Sequence, residues 1–106
     1  MTEKATWIEN LSALAPDVPA DSIVSRTFFT AHGLKAILFR FARGQELSEH
    51  TAAVPAVLHF LQGRARLTLG GQAGSASPGT WAYLPPRLPH SVLAEEEVEM
   101  LLLLLG

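Results

Sequence analysis

From Arg64 to Leu69 the chain alternates strictly, with Ala65, Leu67 and Leu69 on one parity and Arg64, Arg66 and Thr68 on the other, and Gly70-Gly71 follows at once. Alternation with period two lays one apolar and one polar face on an extended strand. Two adjacent glycines accept positive φ, the requirement of the two-residue turn whose twist matches paired strands. The segment therefore predicts a hairpin, with Gln72 to Ser77 returning antiparallel. The same grammar recurs along the chain. Ser22 to Thr30 and Leu34 to Phe41 are rich in Ile, Val, Thr and Phe and are separated by His32-Gly33. Val57 to Gln62 is an apolar run stopped by Gly63, and Pro78-Gly79 precedes a strand from Thr80 to Leu84. Pro85, Pro86 and Pro89 then stiffen a loop before His90.

The two ends read differently. Thr6 with Glu9 three residues later, among Trp7, Ile8, Leu11 and Leu14, has the form of a capping box, so a short amphipathic helix is expected before Pro16 and Pro19. Ala94 to Leu105 is made of good helix formers, but its five consecutive leucines leave no polar face. A strand buried on both sides needs none, and the tail is assigned as a strand. Short strands joined by Gly and Pro turns make an all-β fold of two antiparallel sheets, a sandwich or barrel. The expected layout is one domain over residues 1–106, with a helical extension at 1–20 and a barrel core at 34–105.

Composition limits the partners. The 106 residues carry eight Lys or Arg against ten Asp or Glu, and no basic run, so nothing marks a surface for nucleic acid or an anionic membrane. Without cysteine there is no disulfide framework and no thiolate ligand or nucleophile. No basic, then apolar, leader opens the chain, and Leu101 to Leu105 is far shorter than the roughly 20 residues a spanning helix needs. A cytoplasmic protein is the expectation.

Histidine carries what chemistry the sequence offers, because it ligates metals and titrates near neutrality. Of His32, His50, His59 and His90, two sit where a strand meets a loop: His50 ahead of the Val57 run, and His90 at the end of the proline loop. His59 has the parity opposite to Leu58 and Phe60, which assigns it to a surface or an interface. Trp81 and Tyr83 share a parity just before the proline loop and, with Phe60, are candidate pocket walls. Arg87 stands within that loop, where it would guard a pocket mouth and attract an anion. Arg64 and Arg66, like Glu95 to Glu97, are expected as solvated surface.

The spacing of these residues resembles the two motifs of the cupin family. Gly44, five residues, His50 and, thirteen positions on, Gly63 follow the first; Gly79, five residues, Pro85 and, five positions on, His90 follow the second. The likeness runs from Gly44 to about Val92 and implies a cupin-type jelly roll. In the family the first motif carries a further histidine and a glutamate, which fall here on Ala52 and Ala56. The second carries an internal glycine and a final asparagine, which fall on Arg87 and Ala94. The family commonly holds iron, manganese, nickel or zinc on three histidines and the glutamate, so the resemblance implies a divalent metal on His50 and His90 alone. Alanine has no lone pair to donate, and such a site is expected to be weak. The resemblance also implies a homodimer, which a chain this apolar would use to cover surface. Three functions are carried forward: a module binding a small organic ligand between the two histidines, a metal-dependent enzyme of dioxygenase or isomerase type, and a structural or regulatory dimer with vestigial histidines.

Overall fold

The computed structural model describes residues 3–106. Nine strands follow one another: β1 (Ile23–Ala31), β2 (Leu34–Phe41), β3 (Glu46–His50), β4 (Ala56–Gln62), β5 (Ala65–Leu69), β6 (Gln72–Ala76), β7 (Trp81–Leu84), β8 (His90–Ala94) and β9 (Val98–Leu105). They form a five-stranded sheet in the order β1-β2-β9-β4-β7 and a four-stranded sheet in the order β3-β8-β5-β6. All neighbouring strands are antiparallel. The turns behave as their residues dictate. Gly70 and Gly71 take φ of 58° and 82°, and His32-Gly33 takes 49° and 79°, the positive pairs that let a two-residue turn follow the strand twist.

The core lies between the sheets. Phe41, Leu58, Phe60 and Met100 from the larger sheet meet Ala65, Leu67, Val92 and Ala94 from the smaller. The leucine-rich tail is the central strand β9, paired with β2 on one side and β4 on the other. Its Met100, Leu102 and Leu104 pack on the core, while Leu101 and Leu103 take the outer face, which is why no polar face was needed. Glu99 breaks that run. It lies on the outer face, only 1% exposed, opposite Arg40 of β2 and Gln62 of β4. Ser12 Oγ donates to Glu99 Oε2 at 2.7 Å, and Glu99 Oε1 has no partner among the described residues.

The N-terminal segment departs from the expected helix. Only Leu11–Leu14 is helical, as a 3-10 turn, and its N-cap is Asn10, whose side chain accepts from Ser12 N at 3.1 Å. Thr6 and Glu9 form no capping box within a helix. A run cut off by Pro16 is too short for nucleation to be repaid within itself. The segment instead lies over the outer face of the larger sheet, where Ile8 and Leu11 line an apolar hollow together with residues of β1, β2 and β9. Residues 1 and 2 of the expected extension lie outside the described residues.

Candidate functional site

His50 closes β3 and His90 opens β8, and the two are register partners at one end of the barrel. A bulge makes this possible. Leu47 pairs with Val92 and His50 with His90, so three steps along β3 match two along β8. Leu47 packs on the core, and in a regular strand a residue three positions later would face the opposite side. The extra residue turns His50 back to the inner face, the re-aiming that bulges perform at barrel rims. The imidazole centroids are 4.1 Å apart, their planes inclined by 59°.

Each ring is held in the same way. His50 Nδ1 donates to Ser48 O at 2.8 Å, and His90 Nδ1 donates to Leu88 O at 2.8 Å. A carbonyl oxygen only accepts, so each Nδ1 carries the hydrogen and the neutral ring keeps its lone pair on Nε2. The pair is asymmetric in burial: His90 is buried at 6% exposure, whereas His50 is exposed. One imidazole is thus fixed in the wall, and the other meets solvent at the rim.

The loops that frame the pair are tied together. Arg87 N donates to Ala52 O at 2.7 Å, joining the proline loop to the segment after β3. Gly70 N donates to Pro89 O at 2.7 Å and anchors the same loop to the β5–β6 turn. Arg87 itself is exposed and adopts φ 64°, the left-handed conformation that favours glycine, which the cupin motif has at this position.

The donor set does not fit a four-ligand metal centre. Ala56 is 2% exposed in the core and Ala52 offers only a methyl group, so among the described residues the motif positions supply two imidazoles and no further donor. Among the described residues no cluster of three or more His, Asp or Glu side chains is placed to hold a metal ion.

The expected pocket walls fall elsewhere. Phe60 is fully buried, closed in by Leu58, Met100 and the rest of the core, and presents no surface to a ligand. Trp81 and Tyr83 are 59% and 51% exposed and face away from the barrel interior. Their register partners are His59 and Val57, while Ala82 and Leu84, opposite Leu58 and Ala56, take the inner positions. Shared parity was correct for the two aromatics, but the smaller pair is the one that fits inside. Of the five residues outside the proline loop assigned to a site, the fold brings together only His50 and His90; Arg87 is their neighbour through the loop. His59 lies on the outer face, half-buried. Glu99 was not singled out by its sequence context, although its position between Val98 and Met100 in a strand marked it for a face otherwise apolar.

Comparison with known proteins agrees with this architecture. No family model matches the chain, and no curated protein matches it. Solved structures do. A cupin superfamily protein from Desulfitobacterium hafniense superposes with a TM-score of 0.83 at 22% identity, over 99% of this chain and 98% of its own. A cupin 2 conserved barrel domain protein from Leptotrichia buccalis gives 0.83 at 30% identity over 92% of this chain, which spans 47% of that protein. A salicylate 1,2-dioxygenase from Pseudoaminobacter salicylatoxidans gives 0.76 at 16% identity over 84% of this chain and 26% of its own. The chain folds as a small cupin, a jelly roll of two antiparallel sheets. Among the described residues no helix is long and apolar enough to cross a membrane.

Proposed function

We propose that the chain binds a small organic molecule at the barrel mouth through Nε2 of His50 and of His90, with any divalent metal held there only weakly. The observation that supports this reading is the matched pair of Nδ1 bonds to Ser48 O and Leu88 O on two rings whose centroids are 4.1 Å apart, which leaves Nε2 of each without a hydrogen bond among the described residues. Two such acceptors suit a phenol or a carboxylic acid, to which either ring can give or from which it can take a proton. A divalent ion, whether nickel, zinc, iron or manganese, would find two nitrogens and fill its remaining positions with water or the ligand, so it would exchange readily. This places binding ahead of a metal-dependent oxygenase or isomerase, whose ion must stay anchored through turnover and would need a donor at Ala52 or Ala56.

Titration of chelator-stripped protein with zinc or nickel, and with a panel of phenols and carboxylates, followed by the imidazole nitrogen resonances, tests the reading. The expected result is a shift of Nε2 in both rings with at least one small molecule, micromolar or weaker metal affinity, and about tenfold weaker binding in His50→Ala and in His90→Ala. Tight stoichiometric metal that survives chelation would favour the enzyme. Silent resonances with every probe would favour a structural dimer with vestigial histidines.

A further inference from the structure

The outer face of the larger sheet carries one polar row with an apolar hollow beside it. Register sets Arg40, Glu99 and Gln62 next to one another on β2, β9 and β4. Glu99 is buried, and both of its neighbours in the row are turned to other partners. Arg40 Nε lies 3.5 Å from Glu97 Oε1 and the same guanidinium donates to Pro16 O at 3.4 Å, while Gln62 Nε2 donates to Ser12 Oγ at 3.4 Å. Ser12 Oγ serves only Oε2, so Glu99 Oε1 is a buried carboxylate oxygen with no partner among the described residues. A polar atom left in that state is costly, and folded proteins keep few of them. The hollow begins where the row ends. It encloses about 350 Å³ and is lined by Ile8, Leu11, Phe29, Leu34, Leu101 and Leu103. Leu11 directly precedes Ser12, and Leu101 follows Glu99 on the same face of β9, so the carboxylate and the hollow share these two walls. The cover above them is thin, since the turn Leu11–Leu14 contributes no buried residue.

We infer that Glu99 and the hollow together form a binding site for a primary amine with an apolar tail, the ammonium donating to Glu99 Oε1 and the tail lying along Leu101 and Leu103. The two halves of the ligand follow from two independent features. An ammonium supplies the opposite charge and the donor that Arg40 and Gln62 direct elsewhere, and a charge-assisted hydrogen bond is strong in a place shielded from water. The tail follows from the walls: small-molecule sites of roughly 300–1,000 Å³ are mostly apolar, with a few polar groups that fix orientation. Leu103 lies two outer-face positions beyond Glu99 on β9, about 13 Å of extended chain, which an ammonium on Oε1 carrying an octyl tail spans. A bare divalent ion suits the place less well, because a hard cation asks for about six oxygen ligands and makes no use of apolar walls. The site is separate from the histidine pair, which stands on the smaller sheet.

Titration of the intact chain with octylamine, octanol and octanoate, followed by methyl resonances, tests the inference. Octylamine is expected to shift the methyl groups of Ile8, Leu11, Leu101 and Leu103 while the rings of His50 and His90 stay unmoved. Octanol, which has the same tail without the charge, is expected to bind there at least about tenfold more weakly, and octanoate not at all. Glu99→Gln keeps the shape of the side chain and is expected to bring amine and alcohol to similar affinity. Should that variant not fold, Leu34→Trp narrows the hollow from its rim, leaves Glu99 in place, and is expected to abolish the octylamine shifts. Methyl groups of the hollow that do not respond to octylamine, or that respond equally to octanol, would overturn the proposal. So would an amine preference that survives Glu99→Gln, or octylamine binding indifferent to Leu34→Trp.

Discussion

At the end of the barrel where β4 leaves through Gly63, the chain has almost no freedom of residue. Gly63 takes φ 83°, and a Cβ there would run into the carbonyl oxygen of Glu97. Close by, Glu95 N and Glu96 N both donate to Arg64 O, and Glu99 is sealed under Ser12. At the opposite end, around His50 and His90, Arg87 holds a left-handed φ of 64° at the position of the motif's glycine, and Ala52 and Ala56 stand at the positions of its further histidine and glutamate. The closed end is constrained by sterics within the backbone, which no substitution can negotiate. The mouth is constrained by hydrogen bonds between main-chain groups, such as Arg87 N to Ala52 O, which survive a change of side chain.

The contrast is broken most directly at Gly63. Gly63→Ala meets both an unfavourable φ and a backbone atom, and is expected to lower stability by about 3 kcal/mol or more, measured by urea denaturation. A loss below about 1 kcal/mol would show that the closed end can shift and that the contrast is false. At the mouth the converse test restores donors. Ala56→Glu alone buries an unpaired carboxylate and should cost about 2 kcal/mol. Combined with Ala52→His it should become metal-dependent, with zinc or nickel raising Tm by several degrees and leaving the wild type nearly unmoved. Failure of metal to rescue the double variant would mean that the frame at the mouth does not set these four positions in metal-binding geometry.

Ser12 sharpens the description of the closed end. Ser12→Ala removes the donor to Glu99 Oε2 and leaves a buried carboxylate unserved, at an expected cost of about 1–2 kcal/mol by the same denaturation experiment. Glu99→Gln in the Ser12→Ala background should recover part of that loss, because an amide costs less to bury than a carboxylate. Arg87→Gly should move the other way, gaining up to about 1 kcal/mol from relief of the left-handed conformation, less the entropy that glycine adds to the unfolded chain.

What could be read in advance follows the strength of local patterning. The β5–β6 hairpin was legible because alternation and Gly70-Gly71 agree, and β9 because five leucines cannot make an amphipathic helix. β3 was not recognised as a strand. Its residues Glu46, Ser48, Glu49 and His50 are exposed, and a single inward Leu47 leaves no period to detect. The bulge that aims His50 inward is likewise silent in sequence, since it is a property of pairing between β3 and β8. The histidine pair was reached through motif spacing, which encodes that pairing indirectly. Trp81 and Tyr83 show the limit of parity: alternation says that two residues share a face but not which face, and size suggested the interior. The outcome was decided by partners distant in the chain, Leu58 and Ala56, already facing in.

The smallest effect tests whether stability and binding separate at the mouth. His90 is buried and its Nδ1 bond to Leu88 O is largely shielded, so His90→Ala loses a hydrogen bond and leaves a carbonyl short of its donor, about 1 kcal/mol. His50 makes the equivalent bond to Ser48 O at the exposed rim, where water replaces the donor at once, and His50→Ala should change stability by less than about 0.5 kcal/mol. Binding does not share that asymmetry, because a ligand spanning both Nε2 atoms needs each of them. The two variants should therefore differ in denaturation midpoint while losing affinity for a phenol or carboxylate to a similar degree. If affinity instead tracks stability, with His50→Ala nearly silent in both, then His90 acts alone and the exposed ring is a surface residue that happens to lie beside it.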